Sequence, residues 1–394
     1  MNVRARIITA GVGAITGAAL ALGLLWLTTS DPRGAREDAT SNLTLSGTLA
    51  TREVAGFARA DRIRPLRFPR DHGPHPAFRN EWWYFTGNLQ SGDGRRFGYE
   101  LSLFRFALRP PPRPARRSQW ATDHVYMAHF AVTDAAGERF HFFERFARNA
   151  VGLAGAQAAP FRVWVEDWSV EADTTNGFPW RLRAAADGLE LALELTAVKP
   201  IVPQGDRGLS QKSAEPGNAS YYYSITRLDS RGTLLLNGER LTVSGQSWMD
   251  REWGTSALSE AQQGWDWFAL QLSDGHDLMF YQLRRREGGI DPHSAGTLVD
   301  PRGRITRLGP QDVGVEVLDV WHSPRGGRYP ARWRLTVEPL AMALEVTPVL
   351  ADQELDVSIR YWEGAVDVSG RRDGETFGGR GYVELTGYGT GGDE

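Results

Sequence analysis

Between residues 247 and 254 the chain runs Ser-Trp-Met-Asp-Arg-Glu-Trp-Gly. This short span holds two carboxylates (Asp250 and Glu252), one guanidinium (Arg251) and two indoles (Trp248 and Trp253). In an extended strand, alternation sends Asp250 and Glu252 to one side and Arg251 to the other. A carboxylic acid among aromatic rings loses hydration, its pKa rises, and it can protonate an apolar alkene. Water then adds to the resulting tertiary cation, whose charge the faces of Trp248, Trp253 or Trp265 would stabilise. That chemistry needs no cofactor, metal or nucleotide. The same residues allow a purely structural role, in which the carboxylates pair with arginines across a domain junction and the tryptophans fill the seam.

Other stretches carry related possibilities. Trp82-Trp83 and Trp265-Asp266-Trp267 are candidates for a ligand-binding wall or for the seam, and tryptophans facing inward would turn Asp266 the other way. Glu81, Glu100, Gln282 and Glu384 occupy comparable strand positions, and exposure is the ordinary expectation for any one of them. His72 and His75 stand three apart in a proline-rich loop without a third ligand nearby, so they are expected to brace the loop, not to bind metal. His129 is expected to be a satisfied core histidine.

Composition narrows the function classes. The chain has 394 residues, 14 Trp, 44 Gly, no Cys and a net charge of −3. Disulfides and thiolate metal sites are excluded, and nothing provides the basic footprint of a nucleic-acid binder. Lysine occurs only at positions 199 and 212; the rest of the basic charge is arginine. Arg4 and Arg6 precede an uncharged run over 7–29. Its length suits an uncleaved membrane helix, with a cleaved signal as the alternative. Either way the body would be exported, to the periplasm as an anchored protein or beyond as a secreted one. Residues 1–30 are thus expected to be the anchor or signal and 31–65 a tether, with an amphipathic piece near 53–63 docking on the body.

The elements that must position these residues are strands. Alternating apolar runs, separated by Ser91-Gly92-Asp93-Gly94, Asp134-Ala135-Ala136-Gly137 and Asn237-Gly238, predict consecutive hairpins. The pattern then repeats. Trp265 to Gly275 echoes Trp82 to Gly92, and Phe280-Tyr281-Gln282-Leu283 echoes Gly98 to Leu101. Gly379-Arg380-Gly381-Tyr382-Val383-Glu384 echoes Gly245 to Asp250. Two copies of one β-module are expected, 66–255 and 256–394, each a sandwich or a closed barrel, with closure favoured because it removes exposed edges. The second copy lacks an Arg251-Glu252 equivalent, which marks that pair as a domain clamp or a functional feature.

Four motifs in order carry a family resemblance: Phe-Pro-Arg-Asp-His-Gly to Glu-Trp-Trp-Tyr at 68–84, Trp248 to Gly254, Gly264 to Trp267, and Gly381 to Tyr388. From about residue 66 onward the chain resembles the AttH-like family, in the lipocalin-like superfamily that includes carotenoid 1,2-hydratases. The resemblance implies an all-β fold of two consecutive lipocalin-like antiparallel barrels. Its implied activities are binding of an apolar or lipid-like ligand, in service of a transporter permease, or cofactor-independent hydration by a buried acid. A scaffold with plugged barrels is the third possibility. An exported location sits awkwardly with carotenoid hydration itself.

Overall fold

A computed structural model describes residues 55–112, 118–174, 177–255 and 258–388. The expected N-terminal anchor, and the tether up to residue 54, lie outside these. Among the described residues no helix is long and apolar enough to cross a membrane.

The described chain is all-β. The first sheet is built from β1 (Asn80–Ser91), β2 (Arg96–Ala107), β3 (His124–Asp134), β4 (Arg139–Arg148) and β5 (Ala154–Ala158). It continues with β6 (Phe161–Val165), β7 (Trp168–Ala172), β8 (Trp180–Ala186), β9 (Leu189–Ala197), β10 (Val202–Pro203) and β11 (Leu209–Gln211). The long strands β12 (Ala219–Leu236) and β13 (Glu239–Gly254) complete it. The second sheet contains β14 (Gln262–Leu272), β15 (Asp277–Arg285), β16 (Ala295–Val299), β17 (Ile305–Leu308) and β18 (Val313–His322). β19 (Arg328–Val337), β20 (Met342–Pro348), β21 (Glu354–Leu355), β22 (Tyr361–Arg372) and β23 (Glu375–Leu385) follow.

The strand order exposes the repeat. The first sheet runs β4-β3-β2-β1-β13-β12-β9-β8-β7-β6-β5, the second β17-β16-β15-β14-β23-β22-β20-β19-β18. In each, the opening strand pairs antiparallel with the closing one, and the register agrees. Tyr84 lies opposite Asp250 and Phe85 opposite Met249 in the first copy; Trp267 lies opposite Glu384 and Phe268 opposite Val383 in the second. The turn at Asn237-Gly238 has positive φ at both residues, as does its counterpart Asp373-Gly374, which is the geometry a tight two-residue hairpin requires.

Closure is incomplete. One sheet is nearly a closed barrel and the other a half-barrel, and among the described residues no ladder joins β4 to β5 or β17 to β18. Instead the 3-10 turn at Arg70–His72 covers the β5 edge, where Gly73 packs so tightly on Ala158 that a Cβ would lie 2.6 Å from it. Between β6 and β7 the chain turns at Glu166, whose φ is positive. The 55–63 segment docks as irregular chain, with Ala60 fully buried.

Burial shows how the sheets meet. β8 and β9 alternate buried and exposed, as expected for a sheet with one wet face. β1, β2 and β3 are buried on both faces, as are β14, β15 and the start of β22. Their inner faces fill two separate apolar cores. Their outer faces press together in a third cluster containing Tyr84, Tyr222, Trp248 and Trp267. This seam is strongly polar at its margin. Asp277 of β15 takes Lys199 at 2.7 Å and Arg227 at 2.6 Å from the first sheet, and Gln271 donates to the carbonyls of Thr226 and Ser247.

Candidate functional site

The alternation expected for β13 holds in space. Trp248, Asp250 and Glu252 face the seam, whereas Met249, Arg251 and Trp253 face the first barrel's interior. There Arg251 lies over the Trp83 ring at 3.9 Å, pairs with Glu81, and donates to the Gly73 carbonyl at 2.7 Å. Arg105 holds the other Glu81 oxygen. Burial alone would raise the Glu81 carboxyl, but the two guanidiniums hold it well below the usual range. His75 stacks on Trp253 at 3.9 Å and meets Asp71 at 3.1 Å, while His72 meets the Tyr223 hydroxyl at 2.6 Å. The proline-rich loop is thus braced from within by histidine hydrogen bonds and rings.

Four residues expected at the seam or ligand wall therefore lie elsewhere. Trp83, Arg251 and Trp253 belong to the first barrel's interior, because strand parity separates them from Trp82, Asp250 and Glu252. Asp266 points into the second barrel, where Arg284 and Tyr388 bind it at 2.9 Å. Its neighbours Trp265 and Trp267 face the seam, the reverse of the inward orientation considered from sequence. Ion pairs that join the sheets include Asp277 with Lys199 and Arg227 and Arg96 with Asp367; Arg251 and Glu252 are not a clamp between them.

At the seam β1, β2, β12, β13, β14, β15 and β23 enclose a cavity. It holds about 720 Å³ of empty space with its mouth included. Trp82, Trp265, Trp267, Phe104, Leu258 and Leu283 supply apolar wall; Tyr84, Tyr222 and Tyr281 add rings with hydroxyls. Four ionisable groups enter it: Asp250, Glu252, Glu384 and Lys212.

Each ionisable group is held differently. Asp250 is 4% exposed. It accepts hydrogen bonds from Trp248 at 2.7 Å, Ser224 at 2.5 Å and the Tyr222 hydroxyl. Burial pushes its pKa up to about 7 against those three donors, and the Glu252 charge adds to the rise. Glu384 accepts from Trp265 Nε1 at 2.7 Å, and burial followed by the charge on Glu100 pushes it up to about 8. Glu252 pairs with Lys212 at 3.1 Å and accepts from Ser220. Lys212 stands over the Tyr281 ring at 4.4 Å; burial lowers its pKa, and the charge and hydrogen bond of Glu252, with Tyr281 and Asp250, together raise it above the usual value.

Such a site can donate and accept protons. Two carboxyls that titrate near neutrality flank an aromatic cavity, and an internal ion pair supplies a fixed polar anchor. Among the described residues no cluster of three or more His, Cys, Asp or Glu side chains has the arrangement of a metal site.

Sequence reasoning missed Lys212, Tyr222 and Tyr281, and undervalued Glu384. Glu384 was recoverable from its alignment with Asp250 in the repeat. Lys212 had a weaker signal, as one of two lysines in an arginine-dominated chain.

A family model for AttH-like proteins matches residues 59–388. The crystal structure of a protein assigned as an AttH from Nitrosomonas europaea is 34% identical, with a TM-score of 0.75; the match covers 84% of this chain and 100% of that one. Kievitone hydratase from Nectria haematococca shares the fold at 15% identity and a TM-score of 0.63, covering 86% of this chain and 97% of that one. No curated protein sequence matches the chain.

Proposed function

This chain belongs to the AttH-like family, and from that premise we propose that its seam cavity is the active site of a cofactor-independent hydro-lyase. The substrate is an unsaturated, largely apolar small molecule, or the unsaturated end of a longer one. The observation that carries the proposal is the meeting of Asp250 and Glu384 in one aromatic cavity, each with its pKa displaced toward neutrality. A hydratase with the same fold supports the reaction class without identifying the substrate.

The two pKa values divide the roles. Near neutral pH Glu384 keeps its proton and Asp250 is about half ionised. Glu384 gives its proton to one alkene carbon, and the cation left on the other carbon faces the rings of Trp265, Trp267 and Tyr281. Water adds to that carbon and Asp250 takes the released proton. Dehydration is the same sequence in reverse. Glu252, tied to Lys212, serves as a fixed charge beside the reacting atoms and not as the acid.

A second reading is favoured by the predominantly apolar wall: the cavity carries its ligand unchanged, on behalf of a neighbouring export permease. In both readings the body works outside the cytoplasm, as the positive flank and uncharged run of residues 4–29 suggest. The two separate on Asp250→Asn. A hydro-lyase loses turnover yet retains its ligand, whereas a carrier is indifferent to the change.

A further inference from the structure

Under the proposed cycle Glu384 loses a proton and Asp250 gains one, so Glu384 needs resupply from elsewhere. A hydrogen-bonded line of side chains reaches toward it from the rim of the seam. Glu144 of β4, whose side chain is 15% exposed, is anchored by Ser358 at 2.6 Å and meets His129 Nε2 at 3.1 Å. His129 is fully buried, and its Nδ1 meets the Tyr361 hydroxyl at 2.6 Å. Tyr361 in turn donates to Glu100 at 3.1 Å, and Ser102 donates to the same oxygen at 2.6 Å. We propose that Glu144, His129, Tyr361 and Glu100 form a proton path from the seam rim to the buried carboxyls beside Glu384. The proposal rests on Glu384 being the cavity acid.

Hydrogen counting allows two arrangements of the line. The single hydroxyl hydrogen of Tyr361 cannot serve both His129 and Glu100. If it goes to Glu100, His129 Nδ1 must supply a hydrogen to the Tyr361 oxygen. With Nε2–H donated to Glu144, the ring is then an imidazolium. If it goes to His129, the ring is neutral and Glu100 carries the hydrogen. The two states interconvert when Nδ1–H moves to the Tyr361 oxygen and the hydroxyl hydrogen moves to Glu100 Oε1. One proton is transferred and no heavy atom need shift.

Beyond Glu100 lies a buried carboxyl cluster. Glu363 accepts from the Tyr84 hydroxyl, and Tyr84 itself lines the cavity. Glu100 Oε2 and Glu363 Oε2 are buried without a hydrogen-bond partner. A bare buried carboxylate oxygen is costly, and a proton or a bridging water removes the cost. Burial raises the pKa of Glu100, Glu363 and Glu384, and repulsion among the three raises the last two further. The cluster is therefore suited to hold protons and pass them on.

The test is infrared spectroscopy of the full chain without ligand, following carboxylic-acid C=O bands as the protein is moved into heavy water. Bands lost in Glu100→Gln, Glu363→Gln and Glu384→Gln identify the protonated cluster. The path predicts that deuteration of these bands slows by roughly tenfold or more in His129→Gln and in Tyr361→Phe, with backbone amide exchange in the seam strands unchanged. Should His129→Gln not fold, Glu144→Gln at the rim must give the same slowing. Deuteration at the wild-type rate in the folded variants, or no such band at neutral pH, overturns the proposal. The resting protein is what is measured, so an absence of turnover would count against the hydro-lyase assignment and leave this result standing.

Discussion

Asp250 and Glu384 occupy the same position in two copies of one strand arrangement, and both open into the cavity between the copies. Each sits on the closing strand of its sheet, opposite an aromatic residue of the opening strand: Tyr84 for Asp250, Trp267 for Glu384. Duplication followed by packing of the outer faces thus supplies two carboxyls to one site. The copies then differ in their partners. Asp250 receives three hydrogen bonds, while Glu384 receives one from Trp265. That difference runs in the direction of the lower pKa for Asp250.

Stability should carry the signature of Asp250. Its folded pKa, about 7, lies above its unfolded value near 4, so the native state binds more protons between those limits and stability falls as pH rises through them. Asp250→Asn removes that slope. Its stability relative to wild type should climb between about pH 4 and pH 7, by as much as about 4 kcal/mol. Urea unfolding at several pH values measures it, and parallel curves for the two proteins would refute the displaced pKa.

Lys212 and Glu252 form a buried pair, and breaking it from either side strands a charge. Lys212→Met and Glu252→Gln should each destabilise by about 3 kcal/mol. The double variant should lose clearly less than the sum. Additive losses in denaturant titrations would mean that the two groups do not depend on each other.

Asp277 joins the sheets through Lys199, Arg227 and the Thr226 hydroxyl. Asp277→Asn leaves two cations at the seam with no counter-charge, at a cost of about 3 kcal/mol. Because the bond spans the sheets, calorimetry should resolve separate transitions in the variant where wild type shows one. A single transition at an unchanged temperature would show that the seam does not depend on this contact.

Much of this was legible in the residues, and the limits have physical causes. The all-β fold and the order of the repeat followed from alternation and turn chemistry, because period-two burial and positive-φ turns are local properties. Strand parity separated Asp250 and Glu252 from Arg251. Which face met solvent and which met the second sheet was not local. Trp83, Arg251, Trp253 and Asp266 were therefore grouped with seam residues although they fill barrel interiors. Lys212 escaped because its loop has no periodicity and reaches the cavity only through long-range packing. The proton-bearing cluster escaped for a related reason: Glu100 lies on β2, whereas Glu363 and Tyr361 lie on β22, so only the folded seam brings them together.

Under the proposed function, Asp250 and Glu384 do chemistry on a molecule held in the seam. The direct measurement is mass spectrometry of the ligand that copurifies with the protein, after incubation of the complex in water labelled with heavy oxygen. Wild type should introduce the label into the ligand, and Asp250→Asn and Glu384→Gln should still bind the ligand but label it about a hundredfold more slowly. Ligand recovered unlabelled from wild type, or labelled equally by the variants, would contradict it.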